Sequence, residues 1–173
     1  LAVGAGSAGP ASRHPASSTA PQANPAAAIR IVTIMLLPPL TGPYPACPPA
    51  AAPPFVLYAG RHIPDKRVEA LPAAVAIARR SIPDLRLIVL GAGPTSAAIH
   101  DAVDAAGAAE WTEFPGFVEE AELTRLMHGA LALANPSRRE GYGLVVVEAN
   151  AHGSPVVLVA DEGNAATELI DDG

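Results

Sequence analysis

The chain has 173 residues, half of them hydrophobic, with 17 acidic against 11 basic side chains and a formal net charge of −6. That length suits one domain of ordinary size with a core of its own, while the acidic balance disfavours non-specific binding to nucleic acid or to an anionic membrane. The single cysteine, Cys47, excludes an intrachain disulfide framework and reads as an incidental residue of a flexible segment.

Residues 1–54 contain no Asp or Glu, only Arg13 and Arg30 as formal charges, and twelve of the 19 prolines. Such a stretch does not assemble a regular core, so the expected organisation is an Ala/Pro-rich irregular segment over 1–54 and an ordered domain over 55–173. Within the first segment "IVTIMLL" (31–37) is stopped by Pro38 and Pro39, well short of a membrane span. It sits too late, after a long neutral stretch, for a signal-peptide core. The expectation is a soluble, cytoplasmic chain.

From Phe55 the pattern alternates. "FVLYAG" (55–60) is a short apolar, β-rich run ending in glycine, as in a buried parallel strand. Asp65 is then expected to cap a helix with Val68, Leu71, Val75 and Ala78 inward. Pro72 must kink that helix or sit in the first turn of a later start. "LRLIVL" (85–90) repeats the strand, followed by "GAGP" and a helix through "TSAAIHDAVDAAG". "EWTEFPGF" holds a shorter strand around 111–114, and "EEAELTRLMHGA" a helix with Leu123, Leu126 and Met127 inward. A strand "LALAN" (131–135), a helix within "GYGLVVVEANAHG" stopped by Gly153, a strand "PVVLVA" (155–160) and a helix beginning at "NAATELI" complete the series. This alternation predicts an α/β fold, a doubly wound parallel sheet with helices on both faces. Such sheets bind ligands at the carboxyl ends of their strands.

Those ends carry the suggestive chemistry. Arg61 and Lys66 follow the first strand; Ser137, Arg138, Arg139 and Glu140 follow the fourth, with Gly141 and Gly143 before a helix. Cations beside a glycine-rich helix entrance suit an anion, because backbone N–H groups and the positive helix end favour phosphate while Arg and Lys neutralise it. The plainer reading of Arg61 and Lys66 is a pair of surface cations, and of Arg138 and Arg139 a solvated loop. "GAGP" is a common strand-to-helix turn and lacks the third glycine of a dinucleotide fingerprint. His100 and His128 read as surface residues of helices, and Trp111 as packing at a strand edge. Glu148 is harder to dismiss: an unpaired carboxylate inside "LVVVEANA" is costly in a core, and a ligand diol would satisfy it.

"YAGRHIPDK", "LRLIVLGAGP", "FPGFV", "NPSRREGYGLVVVEANAHGSPVV" and "NAATELI" together resemble, in this order, the C-terminal domain of retaining GT-B glycosyltransferases, the glycosyl transferases group 1 family. The likeness covers roughly 55–173. It implies the Rossmann-like half of a GT-B fold that binds a nucleotide-diphosphate sugar and needs neither metal nor cofactor. By position, the resemblance assigns Arg61 and Lys66 to the donor diphosphate and the departing nucleotide, and Glu140 to hydroxyls of the donor sugar. It places Gly60, Ser137 and the Gly141, Tyr142, Gly143 and Leu144 backbone around sugar and phosphate, Glu148 on the ribose diol, and Phe117 and Val118 beside the nucleobase. Arg67 stands where the family favours glycine, and Asn150 and His152 also depart from its commoner residues.

The resemblance further implies an N-terminal acceptor-binding domain that residues 1–54 cannot build, with a saccharide, a lipid, a small molecule or a membrane-surface group as its acceptor. Three functions compete: the donor-binding half of a glycosyltransferase, a nucleotide-sugar-binding module without turnover, and a nicotinamide-dependent oxidoreductase. The missing glycine fingerprint and the lack of an acid after the second strand weigh against the third.

Overall fold

The computed structural model describes residues 53–169. The Ala/Pro-rich segment up to residue 52, with Cys47 and the 31–37 run, lies outside the described residues, as do the last four positions.

Five strands form one sheet: β1 (Phe55–Ala59), β2 (Arg86–Leu90), β3 (Thr112–Gly116), β4 (Ala132–Asn135) and β5 (Val156–Leu158). Every pairing is parallel and the spatial order is β3-β2-β1-β4-β5. The chain therefore builds outward from β1 to β3, then crosses back to place β4 on the other side of β1. That reversal opens a crevice between the carboxyl ends of β1 and β4, where doubly wound sheets receive ligands.

Both faces are covered. α1 (Leu71–Ala78) and α2 (Ser96–Ala105) belong to the chain that winds outward; α3 (Glu120–Gly129) and α4 (Leu144–Ala151) belong to the return. Alternate strand residues divide between two cores, as period-two side-chain geometry requires. Leu57, Ile88, Leu90, Leu133, Val156 and Leu158 pack with Leu126, Met127, Val146 and Ala149 from α3 and α4. Tyr58, Leu87, Val89 and Ala134 pack with Leu71, Val75 and Ile99 from α1 and α2. The strands β1, β2, β4 and β5 are covered from both sides and read as largely apolar runs, whereas the edge strand β3, TEFPG, is only partly buried.

Several expected details change. The segment after β1 is not one capped helix but two 3-10 turns, Pro64–Lys66 and Val68–Ala70, before α1 begins at Leu71. Pro72 then falls in the first turn of α1, where its missing N–H costs nothing. Asp65 lies inside the first turn and makes no capping bond. Val68, Leu71 and Val75 are buried as expected, but Ala78 is exposed. The third strand runs to Gly116, and the expected last helix is a 3-10 helix over Ala165–Leu169. Gly153 ends α4 with φ +73°, the left-handed stop typical of glycine.

Candidate functional site

The crevice between β1 and β4 brings together two of the residues singled out in the sequence, Lys66 and Glu140. Lys66 Nζ, from the 3-10 turn after β1, donates to Glu140 Oε2 from the loop after β4, 74 positions later. Their side chains are only 17% and 14% exposed, so the ion pair is largely shielded and its geometry is held by more than the two charges. Asn135, the last residue of β4, donates through Nδ2 to Glu140 Oε2 at 3.3 Å. The Ser137 hydroxyl and backbone N–H both donate to Asn135 Oδ1. Burial works to raise the Glu140 pKa, but hydrogen bonds from Lys66 and Asn135, the Lys66 charge and Ser137 outweigh it and hold the carboxyl below its ordinary value.

Two further supports fix this arrangement. The Arg138 N–H donates to the Asp65 carbonyl at 3.0 Å, tying the two strand-end loops together. Glu140 also pairs as an isolated parallel bridge with Asn164, its N–H donating to the Gly163 carbonyl and its carbonyl accepting from Ala165. Asn164 itself is 1% exposed; its Nδ2 donates to the Ser137 and Val159 carbonyls, and its Oδ1 accepts from the Ala166 N–H. A buried amide with this set of partners staples the loop after β4 to the chain after β5.

Arg61, two residues past the end of β1, is exposed and has no ion-pair partner among the described residues. Its carbonyl accepts from the Tyr58 hydroxyl at 3.0 Å. Tyr58 is buried, and burial, followed by the negative charges of Glu140 and Glu69, pushes its pKa well up. Gly60 packs its Cα against that hydroxyl: a Cβ there would stand 3.0 Å from it. Arg67 closes the first turn at φ 50°, in the left-handed region. This is the position where the sequence departs from glycine, and the backbone shows why glycine suits it.

Gly141 and Tyr142 are exposed. Gly143 is the N-cap of α4 at φ +72°, and a Cβ there would meet the Ala166 Cβ at 2.6 Å. Leu144 opens α4 and is 65% exposed. The site residues at the other end are less closely gathered. Phe117 and Val118 follow β3, which β2 separates from β1, a lateral distance of about 10 Å at the usual strand spacing. Phe117 is 83% exposed and offers a free ring face, whereas Val118 packs against the α3/α4 core.

Glu148 corrects an expectation. It is not a carboxylate trapped in a core: it lies on the outward face of α4 with Leu144 and Val147, while Val146 and Ala149 turn inward. Its charge favours the cation of His152, one turn on, against burial and His128, which together lower the His152 pKa. His128 is likewise no isolated surface residue, since its Nε2 lies 3.2 Å from His152 Nδ1. His100 is exposed with its ring against Phe114, and Trp111 lies under the Arg79 guanidinium before the edge strand β3.

The glycines of "GAGP" have a packing reason of their own. A Cβ at Gly91 would stand 2.0 Å from the Gly60 carbonyl oxygen, and one at Gly93 2.3 Å from that of His62. These glycines exist to let the loop after β2 press against the loop after β1. The reading from sequence passed over Tyr58, His62, Asn135 and Asn164, because buried polar residues at strand ends look like any loop residue until their partners are known.

No group of three or more His, Cys, Asp or Glu side chains among the described residues is arranged to hold a metal ion. Among the same residues no helix is long and apolar enough to cross a membrane.

The sheet order and its flanking helices are those of the Rossmann-like half of GT-B glycosyltransferases. One such structure, the HepE protein of Anabaena in complex with UDP and glucose, superposes with a TM-score of 0.58 at 27% identity, over 68% of this chain and 32% of that one. In sequence, the alpha-D-kanosaminyltransferase of Streptomyces kanamyceticus is 30% identical over 120 residues, 69% of this chain and 31% of the relative. The glycogen synthase of Mycobacterium tuberculosis is 35% identical over 115 residues, 66% of this chain and 28% of the relative. The chain thus spans about a third, or less, of the length of the curated relatives it matches. With the family's sequence pattern matched over residues 48–173, the chain belongs to the glycosyl transferases group 1 family.

Proposed function

We propose that residues 55–173 form the donor-binding half of a glycosyltransferase that moves a sugar from a nucleotide diphosphate to an acceptor with retained anomeric configuration. The observation that carries this reading is the Lys66–Glu140 pair at the β1/β4 crevice, with exposed Arg61 two residues past the end of β1. A cation already held by a carboxylate, with a second cation exposed on the same strand-end loop, suits a ligand that carries both phosphate and hydroxyl groups. Arg61 and Lys66 would take the diphosphate and stabilise the charge that accumulates on it as the sugar leaves, an electrostatic role that a metal ion fills in other transferases. Glu140 would accept hydrogen bonds from the sugar hydroxyls. Gly60, Ser137 and the N–H groups from Gly141 to Leu144 would surround sugar and phosphate at the start of α4.

The nucleoside would extend along the strand ends, with Glu148 on the ribose diol and Phe117 against the base. The exposure of Glu148 and Phe117 supports this, since a group meant for a ligand must be reachable without it. Binding of UDP and glucose by the Anabaena structure adds support for a nucleotide sugar. The relatives' names, one for kanosamine and one for glycogen, give no common sugar or acceptor for this chain. The acceptor would be held by a separate domain, and the reaction would run in the cytoplasm without a metal ion.

A second reading, nucleotide-sugar binding without turnover, fits the same site, since the residues it holds are those the family resemblance assigns to the donor. Isothermal titration of the chain with UDP, GDP and ADP tests both, with a hydrolysis assay on the matching nucleotide sugar. Saturable binding of one nucleotide that Lys66→Ala loses is the expected result. A folded chain that binds none of them refutes the donor site.

A further inference from the structure

His62 follows Arg61 directly, yet its side chain turns away from the crevice and is 3% exposed. Its Nδ1 lies 2.8 Å from the Ser96 hydroxyl at the start of α2, and that same hydroxyl accepts the Gly93 N–H at 3.1 Å. The backbone repeats the link: the His62 N–H donates to the Ala92 carbonyl at 3.0 Å, and the His62 carbonyl accepts from Thr95 at 3.1 Å. One residue thus makes three hydrogen-bonded connections from the loop after β1 to the loop after β2, at the contact that Gly91 and Gly93 keep free of side chains. The imidazole also stands beside the Tyr58 ring, 6.0 Å between centroids, and Tyr58 holds the Arg61 carbonyl. Arg61 is therefore bracketed, its own carbonyl pinned by Tyr58 and the next residue pinned by Ser96.

We propose that His62 is a positioning residue for the anion-binding segment 60–66, a buried peg through which Ser96 and the loop after β2 set the placement of Arg61 and Lys66. The proposal rests on the donor-site reading for its consequence in binding, but not for the peg itself. The groups around the ring agree with an uncharged peg. Tyr58 from β1 and Ser96 from α2 are neutral, and none of the ion pairs among the described residues involves His62. Burial lowers the His62 pKa, with His100 of α2 acting in the same direction and the Leu90 carbonyl of β2 opposing. A neutral imidazole can bond Ser96 without bringing a competing cation under the diphosphate site.

The test compares His62→Leu, which keeps bulk and loses the bond, with His62→Asn, whose side chain can place a polar atom near Nδ1. Ser96→Ala removes the partner and leaves the imidazole in place. Two readouts are needed. Amide hydrogen exchange of Arg61 to Lys66, measured on the free chain, should quicken by about tenfold in His62→Leu and Ser96→Ala and return towards wild type in His62→Asn. The ratio of UDP to uridine affinity should fall by about tenfold in the first two variants and recover in the third. Unchanged exchange in His62→Leu and Ser96→Ala overturns the peg, and so does equal loss of UDP and uridine affinity. A wild-type chain that binds no nucleotide overturns the donor-site reading instead, while the exchange measurement still decides the peg.

Discussion

Lys66 and Glu140 satisfy each other in the structure, and this changes what their removal should do. Lys66→Ala strips a partly buried carboxylate of its partner, so it should lower stability by about 1–3 kcal/mol in urea unfolding as well as weaken diphosphate binding. Glu140→Ala, in contrast, frees the Lys66 ammonium for phosphate. UDP affinity should then be kept or increased, even though contact with the sugar is lost. Glu148→Ala should weaken UDP by about tenfold, the value of one lost hydrogen-bonded pair. Equal losses for the two glutamates in titration with UDP would contradict their separate roles. Arg67 yields a prediction of the opposite sign. Its left-handed backbone costs about 1–2 kcal/mol in a residue with a Cβ, against about 0.5–1 kcal/mol of extra chain entropy for glycine. Arg67→Gly should accordingly stabilise the fold by about 0.5–1 kcal/mol, read by the same unfolding experiment.

At the level of elements, the loop pairs decide more than the helices do. The first two strand ends interlock through Gly91 and Gly93, and the fourth and fifth through Asn164. Gly91 combines φ +102° with a backbone oxygen 2.0 Å from its absent Cβ, whereas Gly107, at φ +61°, has nothing within 4 Å. Gly91→Ala should therefore cost well above the roughly 1–2 kcal/mol of conformational strain expected for Gly107→Ala. Similar losses from the two substitutions would mean that the loops can part without penalty. Four of the five strands are legible in the sequence because burial on both faces leaves short apolar runs, while β3, TEFPG at the sheet edge, has the weaker signal. The segment 61–78 was not legible, since its helical spacing of Val68, Leu71 and Val75 holds equally for two 3-10 turns leading into a shorter helix. Glu148 was misjudged for a related reason. A run of valines suggests a core, but an eight-residue helix with one buried stripe exposes the rest, and Leu144 and Val147 share that outward face.

For the whole molecule, the titrating groups predict how stability depends on pH. His62 and His152 both have pKa values lowered from 6.5 in the fold, the first cause in each being burial. As pH falls through 6.5 the unfolded chain takes up protons that the folded chain refuses, so stability present above that pH is lost through the depressed folded values. Glu140 adds a second loss. Its folded pKa lies below 4.5, so its contribution is complete above that value and disappears as pH drops through the folded one. Urea unfolding across this range should show two declines on acidification, and His62→Asn should shrink the first without touching the second.

The sequence by itself determined the layers and the ligand end of the molecule. Alternating apolar runs and helical segments admit few arrangements other than a parallel sheet covered on both faces, and the cations and glycines fall at the carboxyl ends of its strands. Family membership was legible too, since spaced motifs survive without any knowledge of contacts. Only the tertiary structure decided which of those residues meet. Lys66 and Glu140 are brought together by the placement of β4 beside β1, a long-range event that no local pattern encodes. The supports beneath them, Tyr58, His62, Asn135 and Asn164, acquire their roles from partners that stand on other strands and loops. Hydrogen bonding is short-ranged and directional, so its pairs become known only when the chain has been brought to within about 3 Å of itself.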